Sequence, residues 1–261
     1  MQEANHTRAT EYRTYAEAFQ EKGVVDAYRY RPAYPLEVFA LLAGLIHGEP
    51  GHVLDIGCGT GDIARFLVAS AGRVDAVDVS QEMIEQGKRL PQGDHPRLRW
   101  LHGRIEEVTL APPYALITAG ESLHWLDWQV VMPRFHAVLM QGGYLAIVER
   151  RTTPDPWSIL GEILPRYRTD HYQSPDEQEQ QLWQKVGEHL TAPMPFLQPI
   201  DEYVESYHSR AGFSRERMGV AQAEAFDQEA RAYLLKSYPT GTIPFQVSAS
   251  IVWGIPQAKW L

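Results

Sequence analysis

The sequence has few of the features that would place it in several large classes of protein. Its 261 residues include one cysteine, Cys58, which excludes an internal disulfide and a zinc site built from several cysteines. No apolar run reaches the roughly 18 residues that a membrane-spanning helix needs. The stretch MQEANHTRAT lacks the apolar core of a secretory signal, so we expect a cytoplasmic protein with no membrane partner.

Basic residues are also in deficit. The chain has 24 Lys and Arg against 33 Asp and Glu, which gives a net charge of -9. Proteins that hold phosphate backbones usually carry a basic face, and the densest basic cluster here is the short stretch ERRTTP at 149–154. The composition therefore argues against nucleic acid as a substrate.

Strand and helix patterns alternate through the first 150 residues. The strands are predicted at HVLDI, VDAVDV, LRWLH, YALITA and YLAIVE, and helices are predicted between them. This alternation predicts an α/β fold, with a Rossmann-like, doubly wound and mostly parallel sheet.

The second half of the chain has a different rhythm. We predict a capped helix at SPDEQEQQLWQKV, a proline-rich turn at TAPMPFLQP, helices to about Ser237 and a final strand at FQVSASIVWG. The predicted organisation is an N-terminal cap (1–35), which includes a short helix with Tyr12, Tyr15 and Phe19, then a cofactor-binding core (36–151). A mostly helical insertion or lid (152–240) and a strand returning to the sheet (241–261) complete it.

The stretch VLDIGCGTGD at 53–62 places three glycines directly after the first strand. A loop at that end of a parallel strand lets a ligand approach the backbone, and the next helix offers free N–H groups. The pattern is DxGxGxG, whereas dinucleotide sites usually show GxGxxG, and Asp62 adds negative charge where a pyrophosphate would sit. Asp55 suits a cationic or zwitterionic ligand, and Asp78, at the end of the second strand, can accept hydrogen bonds from ribose hydroxyls. A ribose without phosphate together with a positive centre describes S-adenosylmethionine.

The same residues resemble a known family. VLDIGCGTG, AVDVS, HGRIEEV and ITAGESLHW together resemble class I S-adenosylmethionine-dependent methyltransferases, over about residues 25–150. The stretch YRYRPAYP and the HW pair are similar to the trans-aconitate methyltransferase-like (methyltransferase type 11) branch. The resemblance implies S-adenosyl-L-methionine as cofactor, no metal, and methyl transfer to a small organic molecule, with an oxygen or carboxyl acceptor favoured.

The resemblance also implies roles for individual residues. Asp55, Gly57, Gly59 and Gly61 would surround the methionine part of the cofactor, and Asp78 would bind the ribose. The other implied cofactor contacts are Tyr28, Arg31, Val79, Met83, Arg104, Ile105, Ala119 and Gly120. Arg104 occupies a position where the family often has an acidic residue. Tyr34 would either cover the cofactor together with Tyr28 and Arg31 or pack against a proline turn.

Histidine 124 is the candidate catalytic residue, because it follows the strand YALITA at the ligand-facing edge of the sheet. It would act as a general base towards a hydroxyl or acid, or instead stack between Trp125 and Trp128. His208 is a second candidate base, and Cys58 is expected to be a packed, inert thiol.

Two other functions remain open at this point. A protein that binds the cofactor without catalysis would show the same motifs. A nicotinamide-dependent dehydrogenase is disfavoured because GxGxxG is missing.

Overall fold

The computed structural model describes residues 17–170 and 182–258. Within these ranges the molecule is built on one sheet of eight strands. The strands are β1 (His52–Ile56), β2 (Arg73–Asp78), β3 (Leu98–His102), β4 (Tyr114–Gly120), β5 (Leu139–Thr153), β6 (Trp183–Leu190), β7 (Met194–Pro199) and β8 (Thr242–Pro256).

The strand order is β3-β2-β1-β4-β5-β8-β6, and β7 also pairs with β8. Strands β1 to β5 are parallel to their neighbours, whereas β8 runs antiparallel to β5 and to both β6 and β7. The mostly parallel, Rossmann-like fold is therefore confirmed. From β1 the chain continues to β2 and β3 on one side of β1, and then crosses to β4 on the other side of β1. In such folds, ligands bind at the carboxyl ends of the strands, at the point where the strand order reverses.

Helices cover both faces of this sheet. They are α1 (Lys22–Tyr28), α2 (Leu36–Gly44), α3 (Ala64–Leu67), α4 (Gln81–Lys88), α5 (Trp128–Val138), α6 (Pro156–Leu160), α7 (Leu164–Tyr167), α8 (Ile200–Tyr207), α9 (Arg215–Met218) and α10 (Val220–Ser237). Ser80 caps α4 as predicted, because its hydroxyl accepts the Met83 N–H at 3.2 Å. This cap holds the start of α4 next to the end of β2.

Two predictions about the second half of the chain are wrong. The helix predicted at SPDEQEQQLWQKV does not extend through its last residues, since β6 begins at Trp183; residues 171–181 lie outside the described ranges. The turn predicted at TAPMPFLQP contains strand β7. Both strands pair with the 15-residue strand β8, which lies far along the chain, and prolines are tolerated in β7 because it is an edge strand.

The segment between β5 and β8 has a hydrophobic cluster of its own. Its buried residues are mostly aliphatic and include five aromatic side chains, namely Tyr203, Tyr207, Phe213, Phe226 and Phe245. Helices α6 to α10 supply most of this cluster, while β8 joins the sheet beside β5. The division into cap, core, insertion and final strand remains a prediction.

The N-terminal segment starts in the described region with a single 3₁₀ turn at Ala18–Gln20, which contains Phe19, followed by α1. Tyr12 and Tyr15, which were predicted to share a helix with Phe19, lie outside the described residues. No helix in the described part of the chain is long and apolar enough to span a bilayer.

Candidate functional site

Two adjoining cavities open at the carboxyl edge of the parallel strands. The first, which we call the glycine-loop cavity, lies against the loop after β1 and the ends of β2 and β4, and its free volume is about 80 Å³. Ten of the predicted cofactor contacts line it: Tyr28, Arg31, Gly57, Gly59, Asp78, Val79, Met83, Arg104, Ile105 and Gly120. The structure thus brings together residues from five separate stretches of the sequence.

The glycines of this loop are required by their backbone conformation and by close contacts. Gly57 and Gly59 have φ angles of 58° and 54°, a region that side chains with a Cβ rarely adopt. A Cβ at Gly57 would lie 2.5 Å from the Cβ of Ser122, and one at Gly59 would lie 3.4 Å from the Tyr28 hydroxyl. Glycine at both positions therefore keeps the loop backbone exposed to the cavity.

Asp78 lies at the end of β2 and is both anchored and exposed to the cavity. Its Oδ2 accepts the Gly59 N–H at 2.7 Å, and its Oδ1 accepts the Ser80 N–H at 2.8 Å. Burial raises the pKa of this carboxyl, and the two N–H donors oppose that rise. Each oxygen still has lone-pair capacity for a further donor, so the carboxylate can accept hydrogen bonds from two neighbouring hydroxyls.

Three predicted cofactor contacts lie behind the cavity instead of on its surface. The Asp55 carboxylate accepts the Thr118 hydroxyl at 2.7 Å and the Ala64 N–H at 3.1 Å, so it ties β1 to β4 and to α3. Burial raises the pKa of Asp55 to about 7. A Cβ at Gly61 would meet the Trp100 ring at 2.6 Å, and Ala119, in β4, is fully buried in the core. These three residues shape the loop from below.

The second cavity, which we call the arginine cavity, is much larger, with a volume of about 980 Å³. It shares four lining residues with the glycine-loop cavity, namely Phe19, Arg31, Glu121 and Trp125. Its remaining walls come from the end of β5 and from α6, α7 and α8. A ligand in one cavity therefore lies next to a ligand in the other.

Glu121 lies at the boundary between the cavities, among guanidinium groups. Its Oε2 is 3.3 Å from Nη1 of Arg31 and 3.6 Å from Nη2 of Arg150. Burial alone would raise the pKa of Glu121, but Arg150, Arg31 and Arg210 outweigh it and the pKa is lowered. The backbone at Glu121 has a φ of 52°, which is unusual for a residue other than glycine and is often found at functional sites.

Arg150 and Arg31 hold this cluster in place by different contacts. The Arg150 guanidinium lies 4.4 Å from the centre of the Tyr34 ring, its side chain is 6% exposed, and its Nε is buried without a hydrogen-bond partner. Arg31 binds Ser209 twice, from Nε to the hydroxyl at 2.8 Å and from Nη2 to the carbonyl at 2.6 Å. Arg31 thereby links the segment after α1 to the end of α8.

His124 lines the arginine cavity, and its ring lies 4.6 Å from that of Trp125. Burial lowers its pKa to about 4. At pH 7 it is therefore neutral, but a group with this pKa is a weaker base than one that titrates near the working pH. The choice between base and aromatic packing stays open on geometry alone.

The other two candidates are placed in the core. His208 is fully buried between the Phe213 carbonyl and the Asp227 carboxylate, at 2.8 Å from each, and it faces neither cavity. Cys58 is buried and its pKa is raised well above the ordinary value by burial, as an inert packed thiol requires.

Sequence reasoning missed Glu121, Arg150 and Arg210 as functional residues. Glu121 and Arg150 each follow or end a strand at the ligand-facing edge, in the stretches ESLHW and ERRTTP. That position is the signal that could have identified them, because charged residues at the carboxyl ends of neighbouring strands converge in space.

Comparisons with known proteins agree with this geometry. Residues 53–143 match the model of a methyltransferase domain family. Trans-aconitate 2-methyltransferase from Klebsiella pneumoniae is 31% identical over 160 residues, which are 60% of this chain and 58% of that protein. Malonyl-[acyl-carrier protein] O-methyltransferase from Halalkalibacterium halodurans is 36% identical over 85 residues, which are 30% of this chain and 31% of that protein.

The likeness also extends to solved structures. That of a candidate type II methyltransferase from Anaeromyxobacter dehalogenans superimposes with a TM-score of 0.61 at 22% identity, over 87% of this chain and 99% of that one. The predicted resemblance to S-adenosylmethionine-dependent methyltransferases is therefore confirmed for the segment 53–143, which matches the methyltransferase domain family. The matched segments span about three fifths and one third of the two curated relatives.

Proposed function

We propose that the protein transfers the methyl group of S-adenosylmethionine to a carboxylate oxygen of a small organic acid. The observation that carries the proposal is the cluster of guanidinium groups in the wall that separates the glycine-loop cavity from the arginine cavity. When bound, the cofactor supplies an electrophilic methyl group on a sulfonium. The acid oxygen gains this methyl group, the electron pair of the broken bond returns to sulfur, and no proton is transferred.

The glycine-loop cavity has the donors and acceptors that this cofactor needs. Gly57 and Gly59 would expose backbone to its amino-acid part, and Asp78 would accept its ribose hydroxyls. Val79 and Met83 offer apolar contact to the adenine. Tyr28 and Arg31 line the cavity from the N-terminal side, and the Arg31 guanidinium lies over the Tyr28 ring.

The charge balance of the wall favours an anionic acceptor. Three guanidinium groups lower the pKa of a single carboxylate, that of Glu121; they belong to Arg31, Arg150 and Arg210. A buried cation with an unsatisfied N–H is costly, and a carboxylate offers the strongest hydrogen bonds to a guanidinium. An acid bound there would pair with the excess guanidinium charge and place an oxygen beside the cofactor cavity.

The chemistry needs little beyond this placement. A carboxylate is already ionised at pH 7, so a neutral His124 with a pKa of about 4 does not impede the reaction. Holding the acid oxygen, methyl and sulfur in line can supply roughly 7–11 kcal/mol of the barrier. By their names, both curated relatives act on acids, which supports the same acceptor class.

The test is an assay of the full chain with cofactor labelled in the methyl group, against a panel of carboxylic acids and the matching alcohols. We expect methyl esters of acids as products and no methyl ethers. Arg150→Met should raise the KM for the acid at least about tenfold, the loss expected for one charge-assisted hydrogen bond, while the cofactor Kd stays nearly constant.

Arg89→Met is the matched control, since Arg89 is exposed and lies outside both cavities. Methylation of alcohols but not acids would refute the carboxylate acceptor, and His124 would then be the candidate general base. Tight cofactor binding with no product from either series would show a binding protein without catalysis.

A further inference from the structure

The arginine cavity is larger than a compact acid requires. A molecule of about a dozen non-hydrogen atoms occupies less than about 400 Å³, even if each atom is given the roughly 30 Å³ that a water molecule takes in the liquid. The cavity of about 980 Å³ lies at the upper end of the range for drug-sized ligands, roughly 300–1,000 Å³. The cofactor would reach into this space from the glycine-loop cavity, whose free volume is about 80 Å³, so the acceptor is left the part of the arginine cavity away from the four shared residues.

The two ends of the cavity differ in charge. The end at Glu121 carries the excess of guanidinium groups described above. At the other end Arg168 is paired with Asp170, and its guanidinium lies 5.5 Å from the Trp157 ring. The charge of Arg168 is thus compensated within the protein.

The far end also presents apolar side chains to the cavity. The apolar residues that line it include Pro156, Trp157, Leu164 and Leu190. Trp157 is 45% exposed and Leu190 is 58% exposed, although both are large and apolar. Apolar groups of this size gain free energy when a ligand covers them, so their exposure on a cavity wall indicates an apolar ligand part.

We propose that the acceptor is an amphipathic monocarboxylic acid, with its carboxylate at Arg31, Arg150 and Arg210 and an alkyl or aryl body against Trp157 and Leu190. This inference rests on the proposed carboxyl methylation and adds the shape and polarity of the substrate to it. Compact acids with two or three carboxylates fit the near end but leave the apolar wall uncovered.

The test is a chain-length series. Straight-chain acids from four to twelve carbons, an aryl-alkanoic acid, and compact di- and tricarboxylic acids are compared as acceptors of the full chain at saturating cofactor. We expect kcat/KM to rise about fourfold for each CH₂ group buried, the factor that corresponds to about 0.8 kcal/mol, until the apolar wall is covered. The alkyl amine of equal chain length should not compete with the acid, because it brings a cation to the guanidinium end.

Two variants locate the apolar body. Trp157→Ala and Leu190→Glu should each lower kcat/KM for the ten-carbon acid at least about tenfold, while the value for the four-carbon acid changes less than about twofold. Leu197→Glu is the matched control, because Leu197 is 69% exposed on β7 and lines neither cavity. It should leave the whole series unchanged.

The outcomes separate the two proposals. If the acids are methylated but kcat/KM is flat with chain length, or highest for compact polycarboxylic acids, the amphipathic substrate is refuted and carboxyl methylation stands. If the slope persists in Trp157→Ala and Leu190→Glu, the apolar body binds elsewhere and the inference also fails. If no acid of any kind is methylated, both proposals are overturned.

Discussion

Replacing Asp78 with asparagine tests the cofactor site at its most constrained residue. The carboxylate holds Gly59 N–H and Ser80 N–H, one on each oxygen, and would accept two ribose hydroxyls in addition. In asparagine one of these oxygens becomes an NH₂ group, which cannot accept a hydroxyl. Since a hydrogen bond to a charged group contributes about 1.5–3 kcal/mol, Asp78→Asn should weaken cofactor binding about 10- to 150-fold.

The same substitution should also lower stability. One of the two backbone N–H groups would face the amide NH₂ and lose its acceptor, which costs about 1–3 kcal/mol in a buried site, and Asp78 is 7% exposed. For a protein of this size that loss corresponds to a fall in Tm of about 2–12 °C. Asp78 is thus part of the folded core as well as of the candidate cofactor site.

The assay is a calorimetric titration of S-adenosylhomocysteine, performed well below the Tm of both proteins. Asp62→Asn is the matched control, because Asp62 lies in the same loop and binds Thr60 and Arg65 but does not line the cavity. It should change the Kd less than about threefold, since no ligand contact is lost. A folded Asp78→Asn protein with unchanged affinity, or an equal loss in Asp62→Asn, would place the ribose elsewhere.

Three further predictions follow from the site. Burial raises the pKa of Asp55 from 3.8 to about 7, so between these pH values the folded protein binds a proton that the unfolded chain has lost, and stability falls as the pH rises. Asp55→Asn should therefore flatten the dependence of Tm on pH between 5 and 8. An unchanged slope would contradict the burial argument. His124→Gln should lower kcat on an acid less than about tenfold, and a pH-rate profile should show kcat independent of pH from 6 to 8. A fall in kcat of about 10²–10⁴ would instead identify His124 as a base. Gly57→Ala should abolish cofactor binding and lower Tm, because its Cβ would collide with Ser122 in addition to the backbone strain. Gly142→Ala, with a φ of 80° and open space, carries the strain alone and should lower Tm less; equal shifts would show that backbone strain alone is responsible.

The central fold and the glycine-loop cavity were predictable because local sequence determines them. The loop of Gly57 and Gly59 needs positive φ angles, and a strand end with an acid such as Asp78 is a pattern of short range. The direction of a side chain is a different matter. Asp55 belongs to the same motif, but its carboxylate points towards Thr118 and Ala64, because β4 and α3 supply donors on that side.

Features that depend on distant partners were not predictable in this way. Strands β6 and β7 are edge strands whose pairing is provided by β8, some 50 residues later in the chain, so their local composition of prolines and polar residues resembled turn and helix. The charge cluster has the same origin. Glu121 and Arg150 are 29 residues apart in sequence, and only the parallel pairing of β4 with β5 brings them together.

The contacts of Arg31 have a consequence for how the two ligands influence each other. Its guanidinium stacks over Tyr28 at 4.4 Å in the cover of one cavity and reaches Glu121 and Ser209 in the wall of the other. A ligand that fixes Arg31 from one side has already met the entropic cost of ordering it for the other, and such coupling is reciprocal. Cofactor and acid should therefore bind with positive cooperativity. Once the carboxylate has become a neutral ester, it loses its charge-assisted hold on the guanidinium groups, so the methylated product should leave before the spent cofactor.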